Sequence, residues 1–288
     1  MIEKVLKIRL NYMVDYVKCH KKRTLNPISL SNLNPPTVGK THKFSLQIQR
    51  KMKEKCELFL LAIFMRRIEN TRLHKKQNCI ATFITLTYPT ENSLPATHCH
   101  REHLNHFLIS LKRMGNRNYI WRAELQKNGN LHYHIFGDTY VDKKRLQTVW
   151  NNIIEGDNFI TNFAAKHHHR NPPTTRIDAV NDILKATSYI SKYMTKTSHQ
   201  SSQLIGKFWG LSDSLKNIKS YEETGYDRDE TVNSVLNSQD FKEVIKINDF
   251  CSIITLNSNA YKTMFHISVP HRVAFEKHHI NNATLINL

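Results

Sequence analysis

The sequence lacks both a disulfide framework and the spacing of a zinc ribbon. Its five cysteines, Cys19, Cys56, Cys79, Cys99 and Cys251, are odd in number and include no CxxC pair. A reducing compartment, the cytoplasm of a bacterial host, is the expected setting. Long hydrophobic runs are also missing. The longest, LFLLAIFM at 58–65, falls far short of a membrane span. Charges interrupt every apolar run of the opening MIEKVLKIRLNYMVDYVK, so a secretion signal is not expected either. No GxxxxGK[ST] occurs, which predicts no nucleotide cofactor, and there is no HExxH and no internal repeat. Negative charge is short as well: 24 Asp and Glu face 42 Lys and Arg, for a net charge of +18. The excess is spread along the chain and suits a polyanionic partner, most simply nucleic acid.

The chain divides by composition. Residues 1–44 read as a basic leader and a proline-containing linker, ending in TLNPISLSNLNPPTVGKTHK. Residues 45–213 carry the periodic segments, and 214–288 read as a polar C-terminal extension without assigned chemistry. From Ser45 to about Arg72, Leu46, Ile48, Met52, Cys56, Phe59, Leu60, Ile63 and Phe64 recur at helical spacing. CIATFITLTYP at 79–89 is rich in β-branched and aromatic residues and reads as a buried strand. Residues 100–114 predict a helix, NYIWRAELQ and LHYHIFG two strands of a hairpin around KNGN, and 143–154 another helix. A short strand is expected at 158–163, a loop at 171–175 and a helix over 179–198. This order predicts an α+β fold with an antiparallel sheet.

With 17 histidines in 288 residues, roughly one HxH arises by chance, so His132-Tyr133-His134 is weak evidence by itself. His98-Cys99-His100 and the run His167, His168, His169 serve as decoys, since they fall in expected loops or helix ends. His132 and His134 differ in lying on a strand, where residues two apart share a face. Arg122, Glu124 and Gln126 share a face of the partner strand, and the turn decides whether the two faces coincide. A two-residue Asn128-Gly129 turn pairs 124 with 133 and separates them. A three-residue loop, 128–130, pairs 124 with 134 and 126 with 132, and this odd loop is the expectation. Two imidazoles and a carboxylate leave open positions on a divalent ion, which suits Mg²⁺ or Mn²⁺ acting on a phosphate oxygen.

In YISKYMTK, 189–196, Tyr189, Lys192, Tyr193 and Lys196 fall within a sector of about 100° on a helix, beside a core-facing stripe of Ile183, Thr187, Ile190 and Met194. A tyrosine hydroxyl can attack a phosphodiester where cations stabilise the developing charge. The plainer alternative is a pair of aromatics packing one turn apart.

Taken in chain order, FITLTYP, the hairpin with Glu124, His132 and His134, and YISKYMTK resemble the three motifs of the HUH endonucleases. More specifically, they resemble two-tyrosine rolling-circle replication initiators of small single-stranded DNA phages and bacterial plasmids. The likeness covers about residues 45–213, including GKFWGLSD, with Tyr133 departing from the usual aliphatic middle residue. The resemblance implies a central five-stranded antiparallel sheet flanked by helices, of the RRM or ferredoxin-like palm type. It implies His132 and His134 as metal ligands, Glu124 as the third and Gln126 as its fallback. Tyr189 or Tyr193 would attack the scissile phosphate of a single-stranded DNA origin, with Lys192 and Lys196 steadying charge. A host helicase and DNA polymerase are the implied partners. A two-tyrosine transposase or mobilisation relaxase would carry the same site, and a non-catalytic basic DNA-binding regulator is the alternative from another class.

Overall fold

The structure, a computed structural model, describes residues 2–9, 12–19, 45–72, 79–126, 128–194, 207–218 and 221–257. These fall into two compact units, 45–217 on the one hand and 2–19 with 218–257 on the other. Both are α+β, each built on a five-stranded antiparallel sheet.

The terminal segments read as leader and extension meet in one sheet. Strands β1 (Ile2–Ile8) and β2 (Tyr12–Cys19) form a hairpin across their full length. Val5, Leu6, Ile8 and Met13 are buried despite the lysines between them. Short apolar strands punctuated by charge suit a sheet with one wet face.

The larger unit begins with helix α1, Leu46–Arg72. Met52, Cys56, Phe59, Leu60, Ile63 and Phe64 of the expected stripe are buried, whereas Leu46 at the helix start is exposed. Strand β3 (Ala81–Leu86) follows. Ala96–His98 (α2) runs through a π-helical turn, Cys99–Leu104, into Asn105–Arg113 (α3). Strands β4 (Tyr119–Leu125) and β5 (Leu131–Gly137) form the hairpin, and Lys143–Ile154 is helix α4.

Phe159–His167 is helix α5, not the short strand expected at 158–163. Phe159, Ile160 and Phe163 stand at helical spacing and are buried. The Glu155 carboxylate accepts from the Ile160 and Thr161 amides, both at 3.0 Å, satisfying two donors of the first turn.

A second correction concerns 179–198. Ala179 and Val180 end a strand, β6 (Thr175–Val180), and helix α6 covers only Ile183–Tyr189 before a π-helical turn, Ile190–Met194. The Asp182 carboxylate accepts from the Lys185 amide at 2.8 Å and so fixes the helix start. Strand β7 (Trp209–Leu211) and the short helix α7 (Asp213–Lys216) complete this unit. In the terminal unit β8 (Tyr221–Thr224), helix α8 (Gly225–Leu236), β9 (Phe241–Asn248) and β10 (Cys251–Leu256) follow, and the order there is β8-β1-β2-β10-β9.

In the larger unit the strand order is β6-β3-β5-β4-β7, with β5 at the centre. Strand alternation gives the two faces different work. Leu131, Tyr133 and Ile135 point into the main core with Leu104, Phe107 and Trp150. His132, His134 and Phe136 point the other way. There Phe136 stacks on Phe83 at 4.9 Å and meets Phe59 of α1 at 4.9 Å.

Candidate functional site

The hairpin turn determines which side chains meet. The Gln126 amide N–H donates to Asn130 O at 2.8 Å, Gly129 N–H donates to Gln126 O at 2.9 Å, and Gly129 has a positive φ of 83°. Leu125 pairs with Leu131, Glu124 with His132 and Arg122 with His134. The loop is therefore odd, as expected, but it spans 127–129 rather than 128–130. The register is displaced by two residues from the expected pairing of 124 with 134. A shift of two keeps every side chain on its face. Asn130 holds the loop in place: its amide donates to Thr90 O at 2.8 Å, and its side-chain oxygen accepts from Asn92 N–H at 2.9 Å.

Contacts on this face run diagonally. His134 Nε2 lies 2.9 Å from Glu124 Oε1, and the Gln126 amide lies 2.8 Å from His132 Nδ1. The two imidazole centroids are 4.5 Å apart. Burial, aided by the neighbouring His134, pushes the His132 imidazole down to about 4, which keeps it neutral at physiological pH. Burial alone would raise the Glu124 carboxyl. The hydrogen bond and charge of His134, with help from Arg122, outweigh it and hold the acid below its ordinary value.

Two neutral imidazoles and an ionised carboxylate are a donor set that fits a divalent cation. With the Gln126 amide oxygen turned toward it, His132 carries its proton on Nδ1 and offers Nε2, the orienting role typical of a ligand's outer partner. The donor atoms of Glu124, His132 and His134 are nevertheless not drawn into a tight triad. Among the described residues, the group whose three donor atoms lie within 4.8 Å of one another is His98, His103 and Asp157.

Helix α6 and its π-helical turn bring both tyrosines to the same cleft as the histidines. Phe83, Ile84, Thr85, His132, His134, Ile135, Arg176, Asp178, Tyr189 and Tyr193 line it. The Tyr193 ring lies 5.0 Å from His134, whereas the Tyr189 ring lies on Phe83 at 4.9 Å and 5.4 Å from Tyr193. Lys192 Nζ sits 5.0 Å from the Tyr193 ring centroid. Lys196 is outside the described residues. Ile190 and Met194 of the expected core stripe are buried, which leaves the tyrosine edge half-exposed.

Two charged residues here escaped the sequence reading. The Arg122 guanidinium is 1% exposed; its Nη1 donates to Tyr193 O at 3.3 Å and its Nη2 lies 3.5 Å from Glu124 Oε2. It thus links the hairpin to the tyrosine turn. Arg176, on β6, pairs with Asp178 at 2.9 Å, and Asp178 and then the two tyrosines raise its pKa. The alternation in TRIDAV was the available signal for that strand and its outward Arg and Asp.

Residues 81–198, from β3 through the hairpin to the tyrosine helix, match a family described as replication-associated protein ORF2. The chain is similar to replication initiators. That match supports a role in replication initiation, and the residues it spans include every lining residue of the cleft. No curated protein matches the chain. Among the described residues, no helix is long and apolar enough to cross a membrane.

Proposed function

We propose that this protein initiates rolling-circle replication by nicking one strand at a DNA origin, with a tyrosine as nucleophile. The observation that carries the reading is the shared cleft: His132 and His134 on β5, with the Tyr193 ring 5.0 Å from His134. His132, His134 and Glu124 would hold Mg²⁺ or Mn²⁺, with Gln126 orienting His132. Such an ion polarises a phosphate oxygen and lowers the cost of the developing negative charge.

The phenol oxygen forms a bond to the scissile phosphorus as its proton passes to solvent, and the bond from phosphorus to the 3′ oxygen breaks. A 5′-phosphotyrosine and a free 3′-hydroxyl result, the latter a primer for a host polymerase, with unwinding left to a host helicase. The phosphotyrosine keeps the phosphodiester's energy, so a later 3′-hydroxyl can displace the tyrosine and close the displaced strand. Lys192, above the Tyr193 ring, and Arg176, beside both tyrosines, stabilise charge at the phosphate.

Tyr193, next to the metal face, makes the first cut, and Tyr189, packed on Phe83, serves the later transfer. The test is incubation of single-stranded origin DNA and Mn²⁺ with the wild type, Tyr189→Phe, Tyr193→Phe and the double variant. The wild type should form a covalent adduct, Tyr193→Phe should lose at least about 10²-fold in the first cleavage, and Tyr189→Phe should retain it. An undiminished adduct in the double variant defeats the mechanism.

A further inference from the structure

Histidines at i and i+5 do not share a face of an α-helix, where they stand about 140° apart. His98 and His103 do come together, because the chain between them is π-helical: Asn105 N–H bonds back to His100 O, five residues earlier. A ladder of that spacing stacks residues five apart, and such turns are frequent at functional sites. The two Nε2 atoms lie 2.7 and 2.9 Å from the same oxygen, Asp157 Oδ2. The imidazole rings stand 5.6 Å apart at 90° to each other.

His103 is 2% exposed, and the Tyr88 hydroxyl lies 2.9 Å from its Nδ1, the outer partner that fixes the ring orientation of a ligating imidazole. The side chains of His98 and Asp157 keep 32% and 31% of their surface, which leaves an entry for an ion and an open position on it. Tetrahedral zinc, with bonds of about 2.0–2.1 Å to N and O, sets its donors about 3.3 Å apart. The trio has only to open by ~0.5 Å to reach that spacing.

We propose that His98, His103 and Asp157 form a second metal site that takes Zn²⁺, with water as the fourth ligand. The ion pins the π-helical turn to the corner between α4 and α5, where Asp157 lies. Binding displaces the protons that the imidazoles now share with Asp157 and releases them to solvent. The site does not rest on the nicking reading, since His103 packs against Trp150 and Phe159 in the main core, on the sheet face opposite His132 and His134.

The test uses full-length protein carrying His132→Ala and His134→Ala, stripped of metal and titrated with Zn²⁺ alone. One equivalent should bind and raise Tm, and Co²⁺ in its place should give the visible absorption of a tetrahedral site. In that background His98→Ala or Asp157→Asn, both at half-exposed positions, should weaken binding by at least about 10–100-fold, the range for losing even an outer partner. Each should also erase the rise in Tm. No bound zinc in the parent, or undiminished zinc in both variants, overturns the site. Failure of the nicking assay leaves either result intact.

Discussion

Two histidine pairs in this protein stand on opposite faces of one sheet and reach their partners by different local geometry. His132 and His134 are two apart on a strand, where alternation alone puts them on the same face. His98 and His103 are five apart, and only a π-helical turn brings them together. The strand pair gathers a loose set in an open cleft, with Glu124 on one histidine and Gln126 on the other. The helical pair converges on one carboxylate oxygen, next to the core. A loose, wet set can admit a phosphate beside an ion, whereas a tight set with an outer partner suits an ion that holds two segments together.

The sharpest way to separate them is to empty each in turn. His132→Ala with His134→Ala should cost the nicking reaction several kcal/mol of charge stabilisation, roughly 10³-fold in the rate of adduct formation. Because both positions are on the cleft face, the variant should remain folded, as far-UV circular dichroism can verify. The loss from His98→Ala should instead appear in zinc-dependent thermal stability, where about 2–4 °C of Tm corresponds to 1 kcal/mol in a domain of this size. If emptying the helical pair abolished adduct formation while the strand pair were dispensable, the assignment of roles would be reversed.

Arg122 gives the next largest effect, since it touches the metal face and the tyrosine turn together. Removing its buried guanidinium, as in Arg122→Met, breaks the pair with Glu124 and the hydrogen bond to Tyr193 O. Urea denaturation should show a loss of about 3 kcal/mol, the low end for breaking a buried pair. Adduct formation should fall further than stability accounts for under conditions where the variant is fully folded. A change below about 0.5 kcal/mol with unaltered nicking would show that the hairpin and the tyrosine turn are held in register by other contacts.

The same contrast explains what the sequence made legible. Period-2 alternation in LHYHIFG and the parity of the loop placed Glu124, Gln126, His132 and His134 on one face, and period 3.6 located α1 and α4. The register was missed by two residues because a loop at 127–129 and one at 128–130 have the same parity, and only the closing bond from Gln126 to Asn130 distinguishes them. The π-helical turn was invisible for a different reason: it follows neither period, so His98 and His103 read as unrelated decoys. Strand β6 went unread because a six-residue edge strand next to a proline loop offers only three alternations, and its neighbours Asp182 and Ile183 already signalled a helix. The terminal sheet joins segments some 200 residues apart, a pairing no local pattern encodes.

Glycine positions on the hairpin test how firmly that face is set. At Gly137, at the end of β5, an added Cβ would meet Asn116 Nδ2 at 2.3 Å and Cγ at 2.8 Å. Asn116 is buried and donates to Thr139 O at 2.7 Å, so it has little freedom to move aside. Gly137→Ala should therefore cost about 1–3 kcal/mol, the range for overpacking, without altering the metal face.

Gly129 is the milder case. A Cβ there meets nothing within 4 Å, and the cost comes from its φ of 83° alone. Gly129→Ala should lose about 1 kcal/mol in urea denaturation, and Gly129→Asn less, because asparagine tolerates the left-handed region. The informative readout is Mn²⁺ affinity. A loop held by Asn130 from Thr90 and Asn92 keeps its odd length under this strain, so affinity should stay within about threefold, the effect of roughly 0.6 kcal/mol. A tenfold or greater drop in Gly129→Ala, restored in Gly129→Asn, would show that the left-handed residue itself, not its anchored neighbour, keeps Glu124 on the histidine face.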